Sequence, residues 1–555
     1  MGNKEMADEL NRYFGSLFTR EDTNNLPDVI VAKGTRVKDE LKEIYIRQET
    51  VLDRLLSLKA DKFLGPDGLH PRVLKEVALE IVDALVIIFQ CSIDSGTVPA
   101  DWRVANVVPL FKKGGREKTG NYRPVSLTSV VGKMLESIIK EEIMTHLDSS
   151  RRISLSQHGF MKGKSCLTNL LEFFEDVTMK MDKGEPVDIV DLDFQKAFDK
   201  VPYRRLVGKI RAHGIGGRVL TWIENWLADR KQRVVINGSL SEWQAVTSGV
   251  PQGLVLGPQL FTIYINDLDE RIKSNISKFA DDTKLGGSVK CQEDVMRMQG
   301  DLRRLGEWAK VWQINVDKCE VIHLGGKNRK AGYYLNGVKL GKGEVQRDLG
   351  VHVHQSMKAS MQVKQAVKKD NGMLAFITRG IEYRSKEVLL QLYRTLVRPH
   401  PAYFVQFWSP NLRKDILAIE GVQRRFTRLI PGMVGLSYVE RLERLGLYTL
   451  EFRRMRGDLI ETYKIIKGLD TLEAGSMFLL MGESRTRGHS LRIRGRPFRT
   501  EMWKNFFTQR VVDMWNALPQ KAVEAKSLDA FKRELDRALI DSGVKGYGER
   551  AGTGY

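Results

Sequence analysis

Two short acidic stretches constrain this chain more than any other feature: "PVDIVDLDFQKAF", from Pro186 to Phe198, and "SKFADDTKL", from Ser277 to Leu285. In the first, Val187, Ile189 and Val190 make an apolar strand, and Asp193 falls at or near its end. In the second, apolar residues lead into Asp281 and Asp282, and a short β-like run comes after them, so the pair falls at the tip of a tight hairpin. A strand end and a hairpin tip can meet on neighbouring strands of one sheet. Three carboxylates in one place cannot all stay ionised without cations. Hard oxygen ligands of this kind suit magnesium, which keeps some waters and takes the rest of its shell from phosphate. Either stretch alone reads as something ordinary, a solvated turn or a strand end with Asp199 as a cap for the next element. Their order, with "SGVPQGLVLGP" between them, points to a site.

The rest of the chain gives the pair a setting. At 555 residues it is too long for one hydrophobic core, and 42% hydrophobic with 28% charged is a globular balance. Lys and Arg number 89 against 69 Asp and Glu, a formal charge of +20 that favours a polyanionic partner. Cys91, Cys166, Cys291 and Cys319 are scattered and make no CxxC pair, which supports neither a zinc ribbon nor a disulfide framework and reads as a reducing compartment. The start "MGNKEMADEL" is charged and is no secretory signal. The most apolar window, "LEIVDALVIIFQ", contains Glu80 and Asp83 and reads as a buried helix rather than a membrane span. Residues 1 to about 60 look charged and helical. "SVVGKMLESIIKEEIMTHL" puts Val131, Leu135, Ile138 and Ile139 on one helical face, and Asn237-Gly238 marks a hairpin. "GPQLFTIYINDLDERI" reads as a helix with Pro258 in its first turn. Strands separated by helices give an α+β sheet domain, and from about residue 355 the pattern turns helical and basic.

The motifs "LFKKGGREKTGNYRPVSLTS", "LSQHGFMKGKS", "LDFQKAFDKVP", "SGVPQGLVLGPQLFTIYINDL", "FADDTKL" and "INVDKCEVIHLG" occur in this order. With "RDLGV", "RRFTRLI" and "FFTQRVVDMWNALP" they carry a close resemblance to the reverse transcriptases of non-LTR (LINE-type) retrotransposons, in the jockey and chicken-repeat group. The resemblance implies an α+β right-hand polymerase: fingers, a palm with an antiparallel sheet, and a helical thumb, followed by a basic, mainly helical C-terminal region. It implies a division into a helical N-terminal extension (1–60), fingers and palm (61–354), thumb or connection (355–470) and the basic region (471–555). It implies RNA-directed DNA polymerisation with two magnesium ions, an RNA template, a DNA primer and deoxynucleoside triphosphates. Asp193, Asp281 and Asp282 match the metal-binding carboxylates. Phe198 matches the bulky residue that packs on the sugar of the incoming nucleotide and leaves no room for a 2′-hydroxyl. Gln252 and Gly253 match the loop against the template–nucleotide pair. Lys112, Lys113 and Arg123 match the residues that hold the triphosphate, with the choice between the lysines open, and Lys318 matches a lysine near the leaving pyrophosphate. The relatives' N-terminal endonuclease is expected to be absent from this chain, with a separate endonuclease as a possible partner. A cytoplasmic and nuclear location is expected, with no membrane partner.

The basic run "RTRGHSLRIRGRPFRTEMWKNFFTQR" supplies Arg485, Arg487, Arg492, Arg494, Arg496 and Arg499 as candidates for nucleic-acid contact. Its Phe498, Trp503, Phe506 and Phe507 either stack on bases or pack a small core. Two departures from the family pattern stand out. Asp191 shares a strand face with Asp193 and adds a fourth carboxylate. Pro401-Ala402 replaces the usual Leu-Glu of a thumb helix, where proline costs about 3 kcal/mol. The alternatives to an active polymerase are a degenerate element copy that only binds RNA and a group II intron maturase-like protein.

Overall fold

The two acidic stretches lie side by side in one sheet of the computed structural model, which describes residues 2–29, 40–481 and 488–541. Helices α1 (Asn3–Ser16), α2 (Gln48–Leu56), α3 (Pro71–Glu76) and α4 (Ala78–Ser95) come first. The N-terminal stretch is less helical than its charge pattern suggests. Between α1 and α2 the described residues form no helix, since this segment, with Asn24-Asn25 and Pro27, has no apolar stripe. It is held as a strap instead: the Arg205 guanidinium donates to Glu21 Oε1 (3.2 Å) and to the carbonyls of Asp22 (2.8 Å) and Asn25 (3.0 Å).

Strands β1 (Val104–Phe111) and β2 (Tyr122–Leu127) pair antiparallel, joined through the "KKGG" loop. Helices α5 (Val130–Ser149) and α6 (Cys166–Asp182) come next, each capped by a serine hydroxyl, Ser129 and Ser165. After them the chain runs through β3 (Val187–Phe194), α7 (Ala197–Lys200), α8 (Tyr203–Ala212), α9 (Gly217–Leu227), β4 (Lys231–Ile236), β5 (Ser239–Leu240) and β6 (Gln244–Ala245). The Asn237-Gly238 turn between β4 and β5 has both φ angles positive, 46° and 82°, as a two-residue hairpin of this type requires. β4 lies parallel to β1, so β2, β1, β4 and β5 make a small sheet, with α1 packed over it through Ala7, Leu10 and Phe14.

Helix α10 (Gly257–Tyr264), strands β7 (Asn275–Phe279) and β8 (Asp282–Ser288), helix α11 (Gln292–Val311) and strand β9 (Val316–Leu324) complete the central unit. The short strands β10 (Tyr334–Leu335), β11 (Val338–Lys339) and β12 (Gly341–Lys342) come after it, and the central sheet has the order β12-β9-β3-β8-β7. β3 is buried on both faces for most of its length. Val190 and Leu192 face the large core shared with α5, α8 and α9, while Val187 and Ile189 face α6. Asp191 and Asp193 continue the second face toward the open end of the sheet.

Beyond the sheet, β13 (Val345–Asp348) and β14 (Val351–His354) form a hairpin, and helices take over: α12 (Ser360–Gly380), α13 (Lys386–Leu392), α14 (Pro399–Ala402), α15 (Val405–Trp408), α16 (Arg413–Leu429), α17 (Tyr438–Leu445) and α18 (Leu450–Ile466). The prolines do not sit inside a long helix. The chain makes a π-helical turn at Tyr393–Val397, places Pro399 in the first turn of α14, and breaks at Phe404, whose φ is 49°. Leu389, Tyr393, Val422, Phe426 and Leu442 form a separate small core here, with Tyr393 stacked on Phe426 at 4.1 Å. The described residues after Lys467 are short helices and one two-residue strand pair, closed by the helix Leu528–Asp541. Their Trp503, Phe507, Trp515 and Phe531 join the core of α6 and α18, so this part shares its interior with the back of the central sheet. Among the described residues no helix is long and apolar enough to cross a membrane.

Candidate active site

A two-residue turn, Ala280-Asp281, joins β7 to β8, with Phe279 paired to Asp282. Ala280 has a φ of 56°, an uncommon conformation for a residue with a Cβ, and the surrounding chain holds it there. The Gln157 Oε1 accepts the N–H of Gly159 (2.7 Å) and of Ala280 (3.0 Å). The His158 N–H donates to the Lys278 carbonyl and the Lys278 N–H to the Ser156 carbonyl, both at 2.8 Å, so "SQHG" runs along β7 as an extra rung. Gly159 is required, because a Cβ there would lie 2.4 Å from the Ala280 nitrogen. The Lys278 ammonium is buried and donates to Asp269 (2.9 Å), which also accepts from Ser154 and Ser156. The signal for Gln157 and Gly159 is present in "LSQHGF", a motif that marks the resemblance but suggests no role for either residue.

At the tip, acid is concentrated. Burial holds the Asp281 carboxyl above its usual range, and the Asp193 charge adds to this, while its own N–H, Arg123 and Lys112 pull it back. Asp282 faces solvent on one side, yet loss of hydration and then the charges of Asp281, Asp193 and Asp348 push it up to about 7. Asp191 lies opposite Lys284 on β8 and Glu320 on β9. Burial and the Asp348 charge push it up to about 8 against the pull of Lys284. It is therefore no free fourth carboxylate: it sits beside an ion pair in which the Lys284 ammonium contacts Asp348 Oδ2 and lies over the Phe173 ring at 5.0 Å. Among the described residues no three His, Cys, Asp or Glu side chains close into a complete metal cage. The donor set nevertheless fits a divalent cation: hard carboxylate oxygens, mutually repelling, at an open edge where water and phosphate can fill the shell.

Cations approach from the small sheet. The Lys112 N–H donates to the Asn121 carbonyl (2.8 Å) just past β1, and Arg123 sits on β2 opposite Leu110. Both side chains are exposed, as is that of Lys113. Lys112 and Arg123 are cations whose charge reaches Asp281. The loop after β3 turns at Lys196, with a φ of 50°, and presents Phe198. The Phe198 ring stacks on Phe261 (4.3 Å, 18°) and meets Phe160 edge-on at 6.3 Å. Asp199 behind it is buried, has one carboxylate oxygen without a hydrogen-bond partner, and is pushed by burial up to about 6. Gln252 and Gly253 lie against β2: the Ser126 N–H donates to the Gln252 carbonyl (2.8 Å), and a Cβ on Gly253, whose φ is 100°, would come within 2.7 Å of the Ser126 carbonyl. Lys318 is opposite Asp193 in the β3–β9 register; its side chain lies outside the described residues.

The basic C-terminal run divides. Arg485 and Arg487 lie outside the described residues. Arg496 is not available to a nucleic acid: it pairs with Glu175 of α6 (2.9 Å) and donates to the Ser476 carbonyl (2.7 Å). The Arg499 N–H donates to Asp182 (2.9 Å), leaving its side chain exposed together with that of Arg494, and Arg492 is half-buried. Trp503, Phe506 and Phe507 are buried and pack a core rather than awaiting bases, whereas Phe498 is exposed.

Residues 111–361 match the family described as "Reverse transcriptase (RNA-dependent DNA polymerase)". This segment is similar to reverse transcriptase domains, and the relatives the chain matches include RNA-directed DNA polymerases from the X-element and jockey transposons. The chain is 24% identical over 406 residues to the probable RNA-directed DNA polymerase from transposon X-element of Drosophila melanogaster, covering 71% of this chain and 44% of the relative. It is 26% identical over 404 residues to the RNA-directed DNA polymerase from mobile element jockey of Drosophila funebris, covering 69% and 44%. The chain thus spans less than half the length of these curated relatives. A solved structure of apo telomerase from Candida tropicalis aligns with 52% of this chain and 59% of its own at 11% identity, with a TM-score of 0.33, too low to bear on the fold. The matched segment spans β2, β3 and the acidic hairpin, and so takes in each of the carboxylates described above.

Proposed function

We propose that this chain is an RNA-directed DNA polymerase that extends a DNA primer on an RNA template with deoxynucleoside triphosphates. The observation that carries the reading is the meeting of Asp193, at the end of β3, with Asp281 and Asp282 at the hairpin tip, faced by Lys112 and Arg123. Asp193 and Asp281 would hold two magnesium ions, with Asp282 assisting. Ions bound there would lower the barrier for the primer 3′-oxygen to attack the α-phosphate and offset charge on the leaving pyrophosphate. The protein's own residues do the positioning. Arg123 grips the triphosphate bidentately and Lys112 acts as a point charge; of the two lysines, Lys112 is favoured because its charge reaches Asp281. Lys318, whose backbone lies opposite Asp193 in register, would protonate the leaving group. Gln252 and Gly253 back the template–nucleotide pair.

Phe198 sets the sugar preference, because stacking on Phe261 fixes its ring plane. Arg492, Arg494 and Arg499, with Arg485 and Arg487, follow the nucleic-acid backbone. The division into an N-terminal extension, fingers and palm, thumb and basic region serves this work in cytoplasm and nucleus. Primer extension on a poly(A)-containing RNA, with and without magnesium, tests the reading. Incorporation should need magnesium and vanish in Asp281→Ala, and Phe198→Ala should admit ribonucleotides. Equal incorporation by wild type and Asp281→Ala would overturn the catalytic assignment. An RNA-binding protein without polymerase activity is the second reading, favoured by the helix broken around Pro399 and Pro401. It predicts RNA retention with no incorporation by either protein.

A further inference from the structure

Glu136 lies in the middle of α5 and is 2% exposed, yet among the described residues no lysine or arginine is hydrogen-bonded to it. Its carboxylate accepts three N–H groups instead. Oε1 takes the Trp226 indole N–H (3.1 Å), and Oε2 takes the backbone N–H of Val255 (2.9 Å) and of Leu256 (3.3 Å). The two backbone groups belong to the loop that carries Gln252 and Gly253. The same loop is tied at its other end to β2 by the Ser126–Gln252 bond. Just outside these anchors the two ends of the loop pack closely: a Cβ on Gly257, the first residue of α10, would press on the Pro251 carbonyl at 3.2 Å.

A second buried ion completes the arrangement. Arg230 is 2% exposed, donates from Nη1 to the Trp226 carbonyl (3.0 Å), and lies over the Trp226 ring at 4.9 Å. Its positive charge acts on Glu136 through space and offsets part of the cost of burying it. Arg230 immediately precedes β4, which runs parallel to β1, and β1 leads into Lys112. A carboxylate buried at this point costs several kcal/mol in lost hydration. An apolar side chain would serve α5 packing at lower cost, but it would leave the Val255 and Leu256 N–H groups unpaired.

We propose that Glu136 is a positioning residue for the incoming nucleotide: it fixes the Gln252–Gly253 loop against the small sheet that carries Lys112 and Arg123. It touches no substrate itself and acts through Val255 and Leu256. This rests on the polymerase reading above. With the loop fixed, the template–nucleotide pair meets a preformed wall. With it loose, ordering the loop becomes part of the cost of binding each nucleotide.

The test uses the full chain in steady-state primer extension, read as KM for deoxynucleotide against kcat, beside hydrogen exchange at the Val255 and Leu256 amides. Glu136→Leu fills similar space but gives the Val255 and Leu256 N–H groups no acceptor. It should raise KM about ten-fold, leave kcat within about three-fold, and speed exchange at the two amides while the middle of α5 stays protected. In Glu136→Gln the single amide oxygen can accept both loop N–H groups while its NH2 faces the Trp226 indole, so KM should stay closer to wild type. Adding Trp226→Phe removes that remaining clash, and KM should return to wild type. Glu136→Asp, which keeps the charge and shortens the reach, serves if Glu136→Leu fails to fold, and should give an intermediate KM. Unchanged KM and unchanged exchange in an active Glu136→Leu or Glu136→Asp protein would overturn the proposal. So would a loss confined to kcat and melting temperature, which is what a packing role gives. If wild type incorporates nothing, the polymerase reading is what has failed; exchange at the two amides still tests the anchor.

Discussion

The acidic hairpin and the basic C-terminal run are both dense in charge, and the fold treats them in opposite ways. At the hairpin, Asp193, Asp281 and Asp282 repel one another, while Arg123 and Lys112 act on Asp281 from another sheet and Lys284 acts on Asp282 from β8. In the C-terminal run, Arg496 has Glu175, and Arg510 makes two bonds to Asp458 at 2.9 Å. One region gathers like charge at the open edge of a sheet, and the other spends part of its charge joining α6 and α18 to the C-terminal residues. Charge density in a sequence therefore does not distinguish a site from a seam. The supply of partners in space does.

The sharpest way to break this contrast is to remove one acid from each side of it. Asp281→Asn should cut deoxynucleotide incorporation by at least about a hundred-fold, because it removes charge placed for the transition state. It should leave the melting temperature equal or higher, since it also removes repulsion. A variant that melts lower and retains activity would place Asp281 in the structural class with Glu175.

Next in size is the seam. Arg496→Ala leaves Glu175 buried without its charge partner, and removing one partner of a buried pair costs about 3–5 kcal/mol. Because Arg496 is partly exposed, the lower end of that range is expected, read as a shift in the denaturation midpoint, with activity per folded molecule nearly unchanged. Arg496→Ala paired with Glu175→Gln should recover part of the loss. No recovery would mean that Thr508, which also donates to Glu175, carries the contact.

Much of this fold is legible in the sequence because it depends on local chemistry. The paired acidic stretches imply one sheet, Asn237-Gly238 marks a hairpin, and the apolar stripe from Val131 to Ile139 marks α5. The hidden part depends on long-range partners. Nothing in "MLESII" says that Glu136 accepts N–H groups from residues 255 and 256, and nothing in "RGRPFR" says that Arg496 meets Glu175. The N-terminal extension departs from its expected helix for another reason: charge without an apolar stripe makes a strap as readily as a helix, and Glu21 supplies the fastening to α8. Pro401 belongs to a helix interior only by analogy with the family, whereas here the helix has already broken around it.

Asp191 sharpens the contrast from within the site, and its effect is smaller. Its carboxyl in the folded chain is pushed up to about 8, far above an exposed aspartate. Below the unfolded value both states hold the proton and no stability is lost. As pH rises the unfolded chain releases it first, so the folded state loses stability until the folded value is passed. Asp191→Asn cannot ionise, so its stability relative to wild type should grow from about pH 5 to about pH 9. Thermal melting across that range checks the sign; a difference that stays constant or shrinks would show that Lys284 keeps Asp191 ionised throughout.

The smallest effect belongs to the arginines that the fold leaves unspent. Arg494 and Arg499 have exposed side chains on the same run whose Arg496 is taken up by α6. If exposure marks the charges meant for a polyanion, Arg494→Ala and Arg499→Ala should each weaken binding of an RNA–DNA primer–template only a few-fold and similarly for unrelated sequences. Each should also lower the slope of log affinity against log salt by about one, the signature of a lost phosphate contact. Melting should not change. Arg496→Ala gives the comparison its edge: measured on the folded fraction, its salt slope should match wild type. Equal slopes for all of these variants would mean that the whole run is seam, and that nucleic acid is held by the sheet side of the molecule alone.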